Sequence, residues 1–552
     1  MQQNPLAGSK PALGPDASGQ QHASAPSSQV DASARPGRHD ASARPCRVGT
    51  PAQPGQARGH RTPRLGIAVI AAAAFAVEMA VSARYGYQRD ELYFLVAGRH
   101  PAFGYVDQPP LTPLAARAAA LLFANSLVGL RVLPALALSA LVLLTAGMSR
   151  ILGAGRTGQL LAALSAGACA EYLGAMHLLT TTTLDFVCWA VLLYLTLRLL
   201  EHGQTRWWIV IGACAGIAAE AKWTSGFLVA ALLAGLLLTP ERRLLKSRYL
   251  ALGAVLAAGL AAPDVIWQAA HGWPNLDVFR TLHTAAGHNR ATYWQAQVLF
   301  TGLALTPVWV AGLAWCLRSG VARRFRATAI GSAIPIALVF ALGGKAYYAG
   351  GAYTFLFAAG SVPLEGWLAR RHGKHHPSWR PIALAGGMAV TLAASLPVAL
   401  PILPAATLHA VPLQKINYDL GEQISWPRLV RLVDREYRAL PSAQRTQTTI
   451  LTGNYGEAGA VDRYGPGLGL PQAYSGANNF WLWGPPPAAD RSAIAVNMDP
   501  AFLRHEFARV RLIATFYNGL GVSDDEQGAQ VYLATGLRES WARAWPAFRD
   551  YS

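Results

Sequence analysis

From residue 65 onward the chain alternates long apolar runs with short polar connections. The runs fall near residues 65–83, 127–148, 157–175, 183–200, 207–221, 224–239, 249–266, 296–317, 327–342, 353–369 and 381–400. Their lengths suit helices crossing roughly 30 Å of hydrocarbon, which predicts about 11 transmembrane helices. Glu220 and Lys222 interrupt the stretch 207–239, which reads either as two short helices or as one broken one; splitting it gives the more consistent topology. Pro401 and Pro404 end the last run, and polar residues then become frequent. In that last part, segments Thr448–Thr452, Val510–Phe516 and Gln530–Ala534 have strand character, and Trp426–Tyr437 has an amphipathic helical pattern. Ahead of the first run, residues 1–62 are dominated by Ala, Pro, Ser, Gly, Gln and Arg and have too few large aliphatic side chains to offset ordering entropy. The pattern therefore predicts a disordered tail (1–62), a polytopic α-helical membrane domain (63–404) and an extracytoplasmic α/β domain (405–552). The length of the tail argues against a cleaved signal peptide; a start codon further along, which would leave part of it untranslated, stays open.

Composition agrees with a membrane protein: of 552 residues 52% are hydrophobic and 14% charged. A net charge of +18 would suit nucleic acid, but the basic residues sit in the tail and in short loops between apolar runs. With the N-terminus inside, the inner loops hold Arg150 and Arg156, Arg198 and Arg206, Arg242 to Arg248, Arg318 to Arg326, and Arg370, Arg371, Lys374 and Arg380. The outer loops are poor in Lys and Arg, which is the positive-inside bias. Residues 85–113, 267–294, 343–352 and everything after about residue 405 then face outward. The five cysteines have neither metal-type spacing nor the look of a disulfide framework.

The densest candidate chemistry is the outer stretch YGYQRDELYFLVAGRHPAFGYVDQPPLTP, residues 85–113. Carboxylates at a membrane boundary lose solvation, so they persist there by pairing, binding a cation or acting as acid or base. Asp90 and Glu91 are adjacent and do not share a face: one can address a reacting group while the other orients a basic partner. Asp90 is the candidate general base for hydroxyl attack; the competing reading makes it the N-cap of ELYFLVAGR. Asp107, in the Gly/Pro-rich turn GYVDQPP, adds a third acid. Asp185, after Thr180 to Thr183, either meets a polar substrate or bonds those threonines. Lys222 in EAKWTSG is placed to hold a phosphate as a point charge, or pairs with Glu220. Lys345 stands beside Tyr347 and Tyr348, which line a groove for a lipid-linked anion or form an interfacial belt. Trp267, Gln268, His271 and Trp273 offer faces suited to sugar rings or to the interface. His283 and His288 lack metal-type partners and read as loop residues. In LTGNYGEAGAVDRYG a strand, a turn and a helix follow in order; Asn454, Tyr455 and Glu457 stand at that turn, which lacks the ending of a phosphate loop.

With these residues assembled, the sequence resembles the GT-C fold membrane glycosyltransferases, in the branch of the protein O-mannosyltransferases and lipid A aminoarabinose transferases. The likeness covers roughly residues 65–370 and is most specific at RDELYFLVAGRH, GYVDQPPL, TTTTLDFVCW and WQAAHGWPNLD. It implies an inverting transfer of a sugar, hexose or pentose, from a polyprenyl-phosphate carrier to a lipid, glycan or protein acceptor at the outer face of a bacterial inner membrane. Asp90, with Glu91, takes the catalytic place. Arg89, Tyr93, Tyr105, Asp107, Gln108, Asp185, Lys222, Trp267, His271, Lys345, Tyr347 and Tyr348 are the candidate substrate contacts. The partners implied are the lipid-linked sugar, a membrane-associated acceptor and the bilayer, with no nucleic acid; no cofactor is implied, and a divalent metal is left open. Two other readings stand beside this one: a transporter or flippase for a polar lipid, because buried ionisable groups also mark transport routes, and a non-catalytic sensor or assembly protein.

Overall fold

The computed structural model describes residues 62–370 and 379–551. The tail assigned to residues 1–62 lies outside them, Thr62 apart, as do Arg371 and Lys374 of the loop expected on the inner side.

The apolar runs fold as helices. The first, α1 (Arg64–Val81), is followed by two shorter helices, α2 (Arg89–Ala97) and α3 (Leu111–Leu122). The short α4 (Leu127–Leu130) leads into α5 (Val132–Ile151). The expected span 157–175 is divided at Cys169 into α6 (Arg156–Ala168) and α7 (Ala170–His177), and α8 (Thr181–His202) follows. Stretch 207–239 is two helices, α9 (Trp207–Ala219) and α10 (Thr224–Leu237), joined at the polar residues that interrupt it. After α11 (Arg248–Ala270) and α12 (Pro274–His283), the run expected at 296–317 is not one straight helix. It is α13 (Ala286–Thr301) and α14 (Thr306–Arg318), bent by 101°. The bend is built on Gly302, whose φ of +93° a side chain rarely adopts and whose missing Cβ would lie 2.5 Å from Thr391. The membrane part ends with α15 (Arg326–Leu342), α16 (Tyr353–Ala369) and α17 (Arg380–Ala399). Among the described residues six helical segments are long and apolar enough to cross a bilayer, seven with the bent pair taken as one span; α9 and α10 are shorter. Those six are α1, α4 with α5, α8, α11, α15 with the turn before it, and α17.

Beyond α17 the chain makes a turn of helix, α18 (Thr407–Ala410), then the amphipathic α19 (Trp426–Arg438) and the short α20 (Ser442–Arg445). A mixed five-stranded sheet follows, in the order β2-β1-β3-β5-β4. Strand β1 (Thr448–Thr452) runs parallel to both β2 (Ala473–Ser475) and β3 (Ser492–Val496). Strand β5 (Gln530–Leu537) is antiparallel to β3 and to the edge strand β4 (Phe507–Thr515). Between β1 and β2, helix α21 (Tyr455–Tyr464) starts with a capping box from Asn454 and Glu457. Asn454 and Glu457, at the turn singled out in the sequence, thus satisfy the first N–H groups of a helix.

Two seams join this module to the segment between α1 and α3. In one, Arg84 and Tyr85 bond the carbonyls of Ile402 and Leu403 at 2.7 and 2.8 Å, and Gly86 lies so close to Gln423 that a Cβ would sit 2.8 Å from its carbonyl oxygen. In the other, α21 packs on α2 through two glycines. A Cβ at Gly456 would stand 2.9 Å from Arg89, and one at Gly459 2.9 to 3.1 Å from Leu92, its backbone included. The cluster around Leu92, Tyr93 and Phe94 is therefore continuous with the core under α19 and β3, which includes Trp426, Val430 and Ile494.

Candidate active site

The acidic pair is presented by the first turn of α2. The N-cap is Gln88, not Asp90: the Gln88 side chain accepts the Asp90 N–H at 2.6 Å, and Glu91 returns the bond from the Gln88 N–H at 3.0 Å. Gln88 thereby takes the capping role and leaves the Asp90 carboxylate available for other contacts.

Glu91 points inward and is fully buried. Its two oxygens receive Arg131 Nε and Nη2 at 3.1 and 2.8 Å, a fork-to-fork ion pair, and also the N–H of Leu179 at 3.2 Å. Arg131 donates further to the carbonyls of Ser82 and Gly86 and to Gln423, and meets His177, which in turn faces Glu78 at 3.2 Å. Both oxygens of Glu91 are thus committed, to the cap of α2, to Arg131 at the start of α5 and to the backbone between α7 and α8.

Asp90 points the other way and is half-buried. Oδ1 accepts the phenol of Tyr455 at 2.9 Å, and among the described residues Oδ2 accepts no hydrogen bond. Burial and the charge of Asp90 both raise the proton affinity of Tyr455, so the phenol is a donor. Tyr455 is itself held between Tyr93, at 5.0 Å between ring centroids, and the guanidinium of Arg89 at 4.9 Å. Arg89 is occupied: it reaches Tyr418 and Asp525 at 2.6 Å each and Glu422 at 3.4 Å. Gln88 bonds Asp419 at 3.1 Å. Burial first, and the charge of Asp90 second, push Asp419 up to about 6.

Across from these acids, at the junction of α9 and α10, Lys222 donates to Thr182 at 2.9 Å and lies over the rings of Tyr347 and Tyr348 at 5.2 and 4.9 Å. Burial draws its ammonium down to about 8, opposed by the charges of Asp185 and Asp90 and reinforced by that of Lys345. Lys345 is exposed at the start of the turn that carries the two tyrosines. Asp185 is a buried anchor whose oxygens accept from Thr224 and Ser225 at 2.7 and 2.8 Å, fixing the first turn of α10 just after Lys222. Its partners are thus not the threonines that precede it in sequence.

The turn GYVDQPP closes another side. Tyr93 donates to Asp107 at 2.8 Å, and burial pushes that carboxyl up to about 7. The Tyr105 hydroxyl is used on the carbonyls of Ala97 and His100 and the N–H of Ala102. Gln108 is 2% exposed, and its side-chain atoms have no partner among the described residues. Gln268 bonds the Tyr105 carbonyl at 2.7 Å, and a Cβ on Gly104 would touch Trp267. Trp267 stacks on the exposed His271 with centroids 4.0 Å apart, so these two brace the turn from outside. Arg89, Asp90, Tyr93, Asp107, Lys222, Lys345, Tyr347 and Tyr348 are therefore gathered, while Glu91, Asp185, Tyr105, Trp267 and His271 support the gathering elements. No group of three or more His, Cys, Asp or Glu among the described residues is arranged to hold a metal ion.

Comparison with known proteins bears on this arrangement. The family model described as dolichyl-phosphate-mannose-protein mannosyltransferase matches residues 107–267, from Asp107 to Trp267. No curated protein matches the chain. Among solved structures, ArnT from Cupriavidus metallidurans in the apo state aligns with a TM-score of 0.53 at 15% identity, over 85% of this chain and 97% of that one. The same protein bound to undecaprenyl phosphate aligns with a TM-score of 0.52 at 14% identity, over 86% and 98%. The chain has the GT-C fold.

Within this GT-C fold, several residues at the site carry no local signal. Tyr418, Asp419, Glu422, Gln423, Asn479 and Asp525 come from the C-terminal third, and Arg131 from the start of α5. Asn479 accepts both the Val106 N–H at 2.7 Å and the Tyr93 hydroxyl at 3.2 Å. Only for Tyr455 does the sequence give a hint, through its place at the turn of LTGNYGEAG.

Proposed function

We propose that the protein is an inverting glycosyltransferase that moves a sugar from a polyprenyl-phosphate carrier to a membrane-associated acceptor at the outer face of a bacterial inner membrane. The observation that carries this reading is one carboxylate, Asp90, oriented through Oδ1 by Tyr455, with Oδ2 unbonded among the described residues, with Lys222 within electrostatic reach of it and Lys345 within reach of Lys222. In the reaction, Asp90 Oδ2 takes the proton of an acceptor hydroxyl. The hydroxyl oxygen then bonds the anomeric carbon of the sugar from the face opposite the carrier, and the bond from that carbon to the phosphate oxygen breaks. The leaving phosphate gains charge, which Lys222 and Lys345 offset from fixed positions. Tyr347 and Tyr348, packed edge to face, both stand beside the Lys222 ammonium. Glu91 acts through Arg131 as a positioning residue. Arg89, already matched by Glu422 and Asp525, holds the C-terminal module in place.

The fold shared with a protein whose structure holds undecaprenyl phosphate supports a carrier of that class, as does the family match across Lys222. The test uses purified protein in liposomes, radiolabelled sugars on synthetic polyprenyl phosphate, and total membrane lipid as acceptor. The native protein incorporates label and a folded Asp90→Asn variant does not. Equal incorporation by both removes Asp90 as the base. Label that crosses the bilayer without being transferred replaces the transferase by a flippase.

A further inference from the structure

Arg131 is 1% exposed, so the five N–H groups of its guanidinium need partners inside the protein. Nε and Nη2 reach Glu91, Nη2 also reaches the Gly86 carbonyl and Gln423, and one Nη1 proton goes to the Ser82 carbonyl. The remaining N–H meets His177 Nε2 at 3.0 Å. A guanidinium has no lone pair, so Nε2 is the acceptor and the ring proton sits on Nδ1. Nδ1 in turn faces Glu78 Oε2 at 3.2 Å and donates to it. The geometry thus fixes tautomer and charge together: with Arg131 in this position, His177 is a neutral ring.

Arg131 gathers more than Glu91. Its acceptors lie just after α1 (Ser82), ahead of α2 (Gly86), in the first turn of α2 (Glu91) and in the C-terminal module (Gln423, which bonds the Asp419 carbonyl at 2.9 Å). These segments present Asp90. A proton on His177 Nε2 would set N–H against N–H at 3.0 Å and bring a second cation to Arg131, where His177, Arg131, Glu91 and Glu78 are each at most 2% exposed. Repulsion between the two cations is little screened in such a place. It is relieved when Arg131 withdraws, and its hold on Glu91, Gly86 and Gln423 goes with it. The charged and titratable groups that face His177 are Arg131 and Glu78, with Glu91 behind Arg131; among the described residues it pairs with no charged group of α6, α8, α13 or α17, the other helices packed on α7. An ionised Glu78 would favour a protonated ring, but the approach of Arg131 to Nε2 admits only the neutral one.

Resting on the transferase reading for its effect on catalysis, we propose that His177 is a positioning residue and an acid switch. As a neutral acceptor it keeps Arg131 on Glu91 and so keeps Asp90 presented; protonated at Nε2, it releases that hold and turns transfer off. The released form takes up a proton that the clamped form excludes. The clamped form is therefore fully favoured above the ordinary histidine range, about pH 6.5, and loses ground by up to about tenfold per pH unit below it.

The experiment follows the thermal melt of the full chain in detergent, and single-turnover transfer in liposomes, across a pH series from neutral to about pH 5, on either side of the ordinary histidine range. The native Tm should fall as pH drops through that range and recover on return to neutral pH, with kcat falling alongside it and the donor KM little changed. His177→Gln offers Arg131 a carbonyl and does not titrate. Its Tm should gain on that of the native protein as pH falls, and its acid loss of kcat should move to lower pH. The melts need no sugar donor, so they stand apart from the transferase reading. The proposal is overturned if the native Tm does not change over the series, or if His177→Gln loses Tm with acid as the native protein does. Melts that behave as expected while kcat keeps its native pH dependence in His177→Gln describe a buried histidine that does not act on Asp90, which overturns the positioning role. Should His177→Gln give no cooperative melt, Glu78→Gln carries the test. It keeps an acceptor for Nδ1–H and cannot ionise, so the native acid dependence should persist; its disappearance would move the switch to Glu78 and refute the assignment.

Discussion

Replacing Tyr455 by Phe removes one oxygen and leaves the ring that packs on Tyr93 and under Arg89. What is lost is the 2.9 Å donation to Asp90 Oδ1. A hydrogen bond to an ionised acceptor contributes about 1.5–3 kcal/mol net. If that bond fixes the direction of the free oxygen, its loss falls on the transition state, and one decade of rate corresponds to about 1.4 kcal/mol. The expected result is a kcat lower by roughly ten- to a hundredfold with the donor KM little changed. The assay is single-turnover transfer from labelled carrier, with a thermal melt confirming that the variant is folded. A folded Tyr455→Phe with native kcat would refute the reasoning, leaving Tyr455 as a packing residue.

Three further outcomes follow from the same geometry. Burial lowers Lys222 to about 8, so its charge is present below that pH and is lost as pH rises through it; the donor KM should climb above pH 8. Lys222→Arg, which keeps its charge, should flatten that climb, and an unaltered climb in the Arg variant would assign it to another group. Glu91→Gln leaves Arg131 buried without its counter-ion, which costs about 3–5 kcal/mol; a melt in detergent should show a large drop in Tm, and a native Tm would show the pair to be dispensable. Gly459→Ala sets a methyl against Leu92 and its backbone, so α21 must lift from α2; activity should fall while the circular dichroism of sheet and helices is kept, and full activity would mean the seam can shift without disturbing Asp90.

The acidic pair was legible because charge directly after an apolar run has a high desolvation cost and demands a reason. The break at Glu220 and Lys222 was legible on the same ground. The division of labour within the pair was not. Asp is the better N-cap by preference, yet Gln88 takes the cap, and only the packed position of Arg131 decides which acid is buried. Strand β1 and helix α19 follow directly from their patterns, whereas β2, with three residues, and β3, with the small-residue run SAIAV, are too short or too weakly alternating to stand out. The expected straight span 296–317 missed a bend that depends on Gly302 meeting Thr391, a contact between segments that no local periodicity encodes. Tyr455, Asp419 and Glu422 escaped as partners of the first loop for the same reason, since they are hundreds of residues away in sequence.

That separation has a consequence for how the site is assembled. Tyr455 and Asp90 are 365 residues apart. The entropy of closing so long a loop grows only logarithmically with its length, and the membrane helices between them lower it further by holding both ends at one face. A few specific contacts therefore suffice to bring the C-terminal module down onto α2: Arg89 to Asp525 and Glu422, Arg84 and Tyr85 to residues 402 and 403, and the close approach at Gly456 and Gly459. Those contacts also define the site, because among the described residues the sole side-chain donor to Asp90 comes from α21, and the carboxylates that pair with Arg89 come from residues 422 and 525. Helix α2 without the module would have an unmatched Arg89 beside the proposed base and no phenol to orient it. On the proposed mechanism the module is part of the catalytic apparatus, and weakening its seam should reduce transfer before it disturbs the membrane helices.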